Sequence, residues 1–327
     1  MRAPGKTRRG VESFRTLSAR ARRQTRWLTA TAYYVSLPHG HPSRYLEDRP
    51  IVSMAPGPMK VAKLIRNEVR AQRSRAIPST LGFTLRGGST QASGEFEPDE
   101  VGFVRRELPA CDAFIDVGAN VGMYTCLARQ AGKPTIAIEP LPDNQRYLCR
   151  NLLDNDFSEV SVYPVALGAR PGLLTLYGSG TGVSVISGWA DAAQRTPVPV
   201  ATLDSIVKGS SLLGQRMLIK VDVEGAERGV FKGAGETLAA SPAPTWLVEI
   251  NLDEHHPAGQ NPDFQETFEI FWGHGYSATS VDADPAVTET EVAEWVRTGR
   301  RSFGGHNYVF RKQDSALRVD PAPSARA

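Results

Sequence analysis

Residues 116–125, Asp-Val-Gly-Ala-Asn-Val-Gly-Met-Tyr-Thr, decide the fold that we predict for this chain. An apolar run from Ala113 to Val117 enters the stretch and a helix-like segment leaves it. Glycine permits left-handed dihedrals and lets a ligand approach the backbone closely. The helix start offers unpaired N–H groups and the positive end of a dipole. The stretch therefore predicts a strand–turn–helix unit that holds a small charged ligand.

Segments of alternating type continue to about residue 311. The predicted strands are Ala113–Val117, Thr135–Glu139, Val160–Leu167, Met217–Val223, Thr245–Ile250, Ser277–Val281 and Asn307–Arg311. The predicted helices among them are Gly122–Ala131, Asp143–Asn155, Ala226–Ala239 and Asp263–His274. This alternation predicts an α/β fold, a mostly parallel sheet with helices on both faces. Residues 169–210 interrupt it, and an insertion of this kind is often functional.

Charge is distributed unevenly along the 327 residues. Residues 1–76 hold 17 Lys and Arg but only 4 Asp and Glu, whereas the chain as a whole has a net charge of +3. We therefore predict three parts: a basic, partly disordered N-terminal extension (1–80), a catalytic domain (81–312) and a flexible tail (313–327). Charge runs are usually solvated, so the basic arm is interpreted as a solubilising extension, and nucleic acid as an unlikely partner. Its segment Val61–Arg73 could form a short basic helix.

The cysteines and the hydropathy pattern indicate the compartment. Three cysteines without a pairing pattern are typical of a reducing environment. No run approaches the roughly 18 apolar residues that a membrane span needs. We therefore expect a cytoplasmic protein without a membrane span, and its oligomeric state is not readable from the sequence.

The glycine spacing bears on which ligand is bound. A dinucleotide site wants three glycines, but Asn120 stands where the middle one belongs between Gly118 and Gly122. Asp116 would repel a phosphate, yet suits a ligand with an ammonium group, such as S-adenosylmethionine. Glu139 ends the second strand 21 residues after Gly118 and can accept bonds from both ribose hydroxyls. An NAD-dependent oxidoreductase is thus the disfavoured alternative.

From Glu97 to about Arg311 the chain resembles the FkbM-type methyltransferases, a branch of the class I S-adenosylmethionine-dependent enzymes. The matching pieces occur in order: Phe96-Glu97-Pro98, residues 116–125, Ile138-Glu139-Pro140, Asn151 and Asn155, residues 165–168, Thr202-Leu203-Asp204, residues 219–225 with Glu227, and residues 307–310. The resemblance implies a Rossmann-like seven-stranded sheet, S-adenosylmethionine as the methyl donor and a hydroxyl acceptor on a small molecule, natural product or sugar. The predicted cofactor-binding residues are Asp116, Gly118, Asn120, Gly122, Tyr124, Glu139, Pro140, Ala166 and Asp222.

Acids follow the fourth predicted strand, where an open α/β sheet places its ligands. Deprotonation of a hydroxyl acceptor calls for a general base. The predicted catalytic residues are Asp222, Glu224, Glu227 and Glu249, with His255 as an alternative base. Scattered acids of this kind lack metal-ligand spacing, so no metal is predicted. Asp204 is interpreted as an N-cap.

Two further functions stay open on the sequence alone. The chain could bind the cofactor without catalysis and use its basic arm to dock a partner, although the acids after strand four argue against this. Methylation of RNA is also conceivable because of the arm. The acidic remainder of the chain argues against a long nucleic-acid track, which needs many phosphate contacts.

Overall fold

An eight-stranded sheet forms the centre of the fold. The computed structural model describes residues 58–178, 182–189, 194–253, 256–282, 286–302 and 304–312. In spatial order its strands are β12 (Ala286–Val287), β11 (Tyr276–Ser280), β13 (Asn307–Lys312), β10 (Thr245–Glu249), β9 (Met217–Val221), β3 (Ala113–Val117), β4 (Thr135–Ile138) and β5 (Val160–Tyr163). Strands β10, β9, β3, β4 and β5 are parallel, whereas β13 runs antiparallel between β10 and β11. The predicted class I architecture is confirmed, with the two-residue edge strand β12 as an unpredicted eighth member.

Helices cover both faces of this sheet. They are α1 (Pro58–Arg73), α2 (Ser89–Ser93), α3 (Pro98–Glu107), α4 (Met123–Gln130), α5 (Pro142–Asp154), α6 (Leu203–Lys208), α7 (Glu227–Lys232), α8 (Gly235–Leu238), α9 (Phe264–Gly273) and α10 (Glu289–Thr298). Side chains alternate along a strand, so Ile115 packs in one apolar cluster with Phe231, while its neighbour Phe114 packs in the other with Leu148. Every residue of β3 is buried, as expected for a central parallel strand.

The third predicted strand, Val160–Leu167, is wrong as one element. Strand β5 ends at Tyr163, because Pro164 has no N–H to donate to a ladder. The remainder forms β6 (Ala166–Leu167), which joins a separate three-stranded sheet with β8 (Arg195–Ala201) and β7 (Gly172–Tyr177). The insertion is therefore a small sheet of its own.

The predicted helix Ala226–Ala239 is also two elements, α7 and α8. The break falls at Gly233, where an added Cβ would lie 2.2 Å from the carbonyl oxygen of Gly168, so the chain passes too close for a regular helix. Asp204 is not the N-cap of α6; Thr202 is, accepting from the N–H of Ser205. The Asp204 carboxylate instead accepts from the N–H groups of Glu236 and Thr237 at the start of α8.

The basic segment predicted as a helix is found as α1, and it is tied to the domain. The Asn67 side chain donates to the Asp143 carboxylate in α5 at 3.0 and 3.1 Å. A short antiparallel pair, β1 (Ile77–Pro78) with β2 (Thr84–Leu85), follows. None of the helices that the structure describes is both long and apolar enough to cross a bilayer. The predicted extension, 1–80, and tail, 313–327, lie largely or wholly outside the described residues, so these domain bounds stay predictions.

Candidate active site

A cavity of about 440 Å³ opens at the carboxyl ends of the parallel strands β3, β4, β9 and β10. Open α/β sheets bind ligands at this edge. The predicted site residues that line the cavity are Gly118, Asn120, Glu139, Pro140, Ala166, Asp222, Glu224 and Glu249. The predicted residues that do not line it are Asp116, Gly122, Tyr124 and Glu227. His255 lies outside the described residues.

Glu139 and Asn120 form one end of the cavity. The Asn120 N–H donates to Glu139 Oε2 at 2.8 Å, and the Leu141 N–H donates to Glu139 Oε1 at 2.8 Å. Glu139 is buried, and burial raises its pKa to about 7 although both N–H groups oppose the rise. The carboxylate is therefore fixed by main-chain donors, in position to accept from a ligand as well.

Asn120 has a left-handed backbone, with φ of 51°, and lines the cavity. Its Oδ1 is buried without a hydrogen-bond partner among the residues that the structure describes. A buried acceptor without a partner is costly, so a donor group of a ligand would satisfy it. Apolar Ile138 and Leu167 line the same cavity. An unsatisfied amide, a fixed carboxylate and apolar walls suit the hydroxyls and flat base of a nucleoside.

The absence of a side chain at Gly118 lets two backbone loops approach each other closely. It has φ of 86°, and an added Cβ would lie 1.8 Å from the carbonyl oxygen of Asp222. The loop after β3 and the loop after β9 therefore touch through the missing side chain. Gly122 has φ of 91° and faces Leu148, where a Cβ would lie 2.4 Å from Cδ1. Both glycines bring secondary structure together around the cavity.

A buried charge network lies beneath the cavity. Asp116 is 1% exposed, accepts from Thr125 Oγ1 at 2.6 Å, and pairs in register with Lys220 of the neighbouring strand. Burial raises the pKa of Asp116. The Lys220 Nζ donates to Asp222 Oδ2 at 2.9 Å and lies 4.7 Å from the centroid of the Tyr124 ring. Asp116 does not line the cavity, and its predicted direct role with a ligand stays a prediction.

Lys220 keeps its charge in this environment. Burial by itself lowers the pKa of Lys220, but the surrounding carboxylates, above all Asp222 and Glu97, raise it well above its usual range. One ammonium thus sits among several acids. Among the described residues, acids outnumber cations at this edge of the sheet, a composition that suits a cationic ligand such as a sulfonium or ammonium.

Glu97 belongs to this cluster, although the sequence prediction did not include it in the site. It accepts from Tyr124 Oη at 2.6 Å, and burial raises its pKa. Carboxylate oxygens of Glu97, Asp222 and Glu249 lie within 4.8 Å of one another. A left-handed φ of 47° places Glu97 here, just before Pro98 at the start of α3. The sequence signal for Glu97 was its place in the Phe96-Glu97-Pro98 match. The prediction that no metal is bound remains untested.

Glu224 closes the other end of the cavity from a strained loop. Its φ is 54°, and Gly225 follows with φ of 91°. The Trp189 Nε1–H donates to Glu224 Oε2 at 3.1 Å, and the Ser184 hydroxyl donates to the Glu224 carbonyl at 2.6 Å. Burial, then the neighbouring Asp222 charge, raises the pKa of Glu224 to about 7. A carboxylate with such a pKa can exchange a proton near neutral pH.

The other two predicted catalytic acids occupy different environments. Glu227 is 2% exposed and accepts from the Gly225 N–H at 2.9 Å, so it shapes the loop from behind the cavity wall. Burial raises its pKa to about 7. Glu249 lines the cavity, accepts from Asn251 Nδ2 at 2.8 Å and has its pKa raised well above the usual value, first by burial and then by Asp222. Their catalytic roles stay predictions.

Sequence reasoning missed the contacts that the insertion supplies. Trp189 and Ser184 reach Glu224 from residues 182–189, about 40 positions upstream. Lys220 was not among the predicted site residues, yet it is a buried cation surrounded by the acids. The signal for Lys220 was a charged residue inside an otherwise apolar strand. No sequence signal pointed to Trp189, because the path of the insertion determines which residue its side chain contacts.

The mostly parallel sheet, with a cavity at the carboxyl ends of its strands, defines a Rossmann-like fold of the class I type. Residues 116–278 match the model of the methyltransferase FkbM domain. The chain belongs to this family through that domain and is an S-adenosylmethionine-dependent methyltransferase. No curated protein matches the sequence.

Solved structures with a similar arrangement include three methyltransferases. An O-methyltransferase from Bacillus cereus in complex with SAH is 11% identical with a TM-score of 0.39, over 79% of this chain and 92% of that one. A precorrin-6y C5,15-methyltransferase from Geobacter metallireducens is 11% identical with a TM-score of 0.36, over 65% and 87%. The SAH-bound methyltransferase PaMTH1 from Podospora anserina is 10% identical with a TM-score of 0.34, over 85% and 100%. Similarity at this level does not extend to the acceptor.

Proposed function

We propose that this protein transfers the methyl group of S-adenosylmethionine to a hydroxyl of a small molecule, natural product or sugar. The observation that carries the proposal is the position of Glu224, a carboxylate on the cavity wall whose pKa of about 7 suits a general base. Glu139 and Asn120 line the same cavity and suit the nucleoside of the donor. Donor and base thus share one enclosed space.

Different residues around the cavity would bind different parts of S-adenosylmethionine. Glu139 would accept from the ribose hydroxyls, and Asn120 Oδ1 would accept from a further donor group of the nucleoside. The acids around Lys220 would face the cationic part of the molecule. When bound, S-adenosylmethionine supplies an electrophilic methyl group on a sulfonium. If the methyl carbon is held in line with the acceptor oxygen at about 3–3.5 Å, these two reacting atoms need little further ordering.

Glu224 would take the acceptor proton as the new carbon–oxygen bond forms and the carbon–sulfur bond breaks. The products are the methyl ether and S-adenosylhomocysteine, and the proton passes from Glu224 to solvent. Glu227 holds the Gly225 N–H and so keeps the loop in place. The negative lining of the cavity disfavours phosphate-bearing acceptors, in keeping with the expectation that nucleic acid is not the substrate. A cytoplasmic location also stays an expectation.

Transfer of a labelled methyl group tests the proposal. The protein would be incubated with methyl-labelled S-adenosylmethionine and a panel of neutral polyols, aminosugars and polyketide alcohols, with carboxylic acids, amines and RNA as comparison acceptors. We expect label in an ether product, and loss of most turnover in Glu224→Gln with unchanged S-adenosylhomocysteine affinity. Label only in esters or methylamines would overturn the hydroxyl assignment, and label only in RNA would overturn the small-molecule assignment. Full activity of Glu224→Gln would remove Glu224 as the base.

A further inference from the structure

The described residues of the insertion contact the loop after β9 around Glu224 and Gly225. The Ser184 hydroxyl donates to the Glu224 carbonyl, and the Trp189 Nε1–H donates to the Glu224 carboxylate. The Trp189 ring also lies against Gly225, where an added Cβ would be 2.7 Å from Cζ3. Ser184 and Trp189 are both buried. Backbone and side chain of Glu224 are therefore held by one segment, residues 182–189.

Glu224 needs such a hold, because its backbone is left-handed. A φ of 54° is sparsely populated for a residue with a Cβ and persists only when the surroundings enforce it. The next residue, Gly225, is also left-handed. Its missing side chain makes room for the Trp189 ring. The loop geometry and the insertion thus depend on each other.

Trp189 and Ser184 do not line the cavity, whereas Glu224 does. Trp189 therefore reaches the cavity only through the carboxylate that it binds. We propose that Trp189 is a positioning residue, which holds the Glu224 carboxylate on the acceptor side of the cavity through its indole N–H. This inference rests on the proposed function, in which Glu224 is the base.

The charged groups around Glu224 come from several elements. Asp222 and Glu227 lie on the same loop and helix start, Lys220 lies on β9, and Glu249 ends β10. The acids and burial favour the protonated carboxyl and raise the pKa of Glu224, whereas the Trp189 N–H and Lys220 favour the carboxylate and lower it. The indole is a neutral donor that opposes the acids, so its removal would shift the balance toward the protonated form.

Trp189→Phe tests this role, because phenylalanine keeps a ring against Gly225 but lacks the N–H. Carbon-13 NMR of the Glu224 carboxyl, assigned with Glu224→Gln, would follow its titration in the full chain. We expect the midpoint to rise by about one pH unit in Trp189→Phe, since a hydrogen bond to the charged form is lost. Trp272→Phe, on α9, is the matched control and should leave the midpoint unchanged. An unchanged midpoint in Trp189→Phe would reduce Trp189 to a packing role and overturn the inference.

A second measurement needs no variant at Trp189. The indole N–H resonance of Trp189 in the wild-type protein should shift with the Glu224 midpoint and lose that shift in Glu224→Gln. A resonance indifferent to pH, or one that titrates equally in Glu224→Gln, would contradict the inference even if Trp189→Phe did not fold. Failure of the proposed function looks different: Glu224→Gln would transfer methyl groups at full rate, while the wild-type protein still showed the coupled titration of Trp189 and Glu224.

Discussion

The two ends of the cavity are built in different ways. At the proposed donor end, Glu139 is fixed by the N–H groups of Asn120 and Leu141, from the loops that end β3 and β4. At the proposed acceptor end, Glu224 is fixed by the Trp189 side chain, from an insertion with its own small sheet. Main-chain contacts depend little on side-chain identity, whereas a single indole can be exchanged. We therefore expect substitutions to alter the proposed acceptor end more readily than the proposed donor end.

We expect the largest loss of stability from a substitution at Gly118, where the loop after β3 contacts the loop after β9. Gly118→Ala puts a Cβ 1.8 Å from the Asp222 carbonyl oxygen at a φ of 86°, so both loops must move. We expect unfolding free energy to fall by more than about 4 kcal/mol, with loss of S-adenosylhomocysteine binding. Denaturant unfolding and calorimetry measure the two. Gly132→Ala has a φ of 74° but nothing within 4 Å, so it should lose only about 1–2 kcal/mol. Equal losses in both variants would show that the loops tolerate separation.

Lys220→Met removes the cation that lies between the ends. Asp116, Asp222 and Glu97 would then face one another without a buried positive charge. Loss of one partner from a buried charged pair costs about 3–5 kcal/mol. Chemical denaturation at pH 8 should show this loss, and Lys232→Met, which removes a surface ion pair with Glu266, should show a much smaller one. A small loss at pH 8 in Lys220→Met would mean that the acids are already protonated.

Glu139→Gln affects the donor end alone. The amide keeps an acceptor oxygen for one N–H, but loses the carboxylate that would accept from the ribose. We expect S-adenosylhomocysteine affinity to fall by about 10- to 100-fold by calorimetry, roughly the value of one or two hydrogen bonds to a charged group. The titration midpoint of Glu224 should not move. If affinity is retained, the nucleoside lies elsewhere in the cavity.

A dependence of stability on pH is the last expected effect. Glu139, Glu224 and Glu227 have folded pKa values of about 7 against an ordinary 4.5, so the folded state binds more protons than the unfolded state between these values. Without ligand, the contribution of these three groups to the free energy of unfolding is therefore greatest below pH 4.5. It declines as pH rises to about 7. Thermal unfolding across this window should show the decline.

Glu227→Gln separates one contribution from that decline. The amide can still accept from the Gly225 N–H, but no proton needs to leave a buried site. We expect a gain of about 1 kcal/mol at pH 8 and a shallower slope between pH 4.5 and 7. Added S-adenosylhomocysteine should flatten the part due to Glu139 and leave that of Glu224. A steeper slope in Glu227→Gln would contradict the assigned burial effect.

Particular residues show how far sequence reasoning reached. The loop at 116–125 and the position of Glu139 predicted the sheet edge and the nucleoside end, because contiguous motifs encode local backbone geometry. The strand at Val160–Leu167 failed because Pro164 ended it and the rest paired with the insertion. Glu97 was present in a matched motif but had no predicted role, since only the fold brings it to Asp222 and Glu249.

The sequence by itself determined the mostly parallel α/β class and the family, and it predicted the residues that would bind S-adenosylmethionine. These follow from periodicity and from short motifs, in which neighbouring residues set the backbone that they occupy. Only the tertiary structure decided where each acid lies, because burial and neighbouring charges come from residues far apart in the sequence. Three acids that look alike in sequence occupy different surroundings. Glu224 faces the cavity under an indole, Glu227 lies behind its wall, and Asp222 is paired with Lys220.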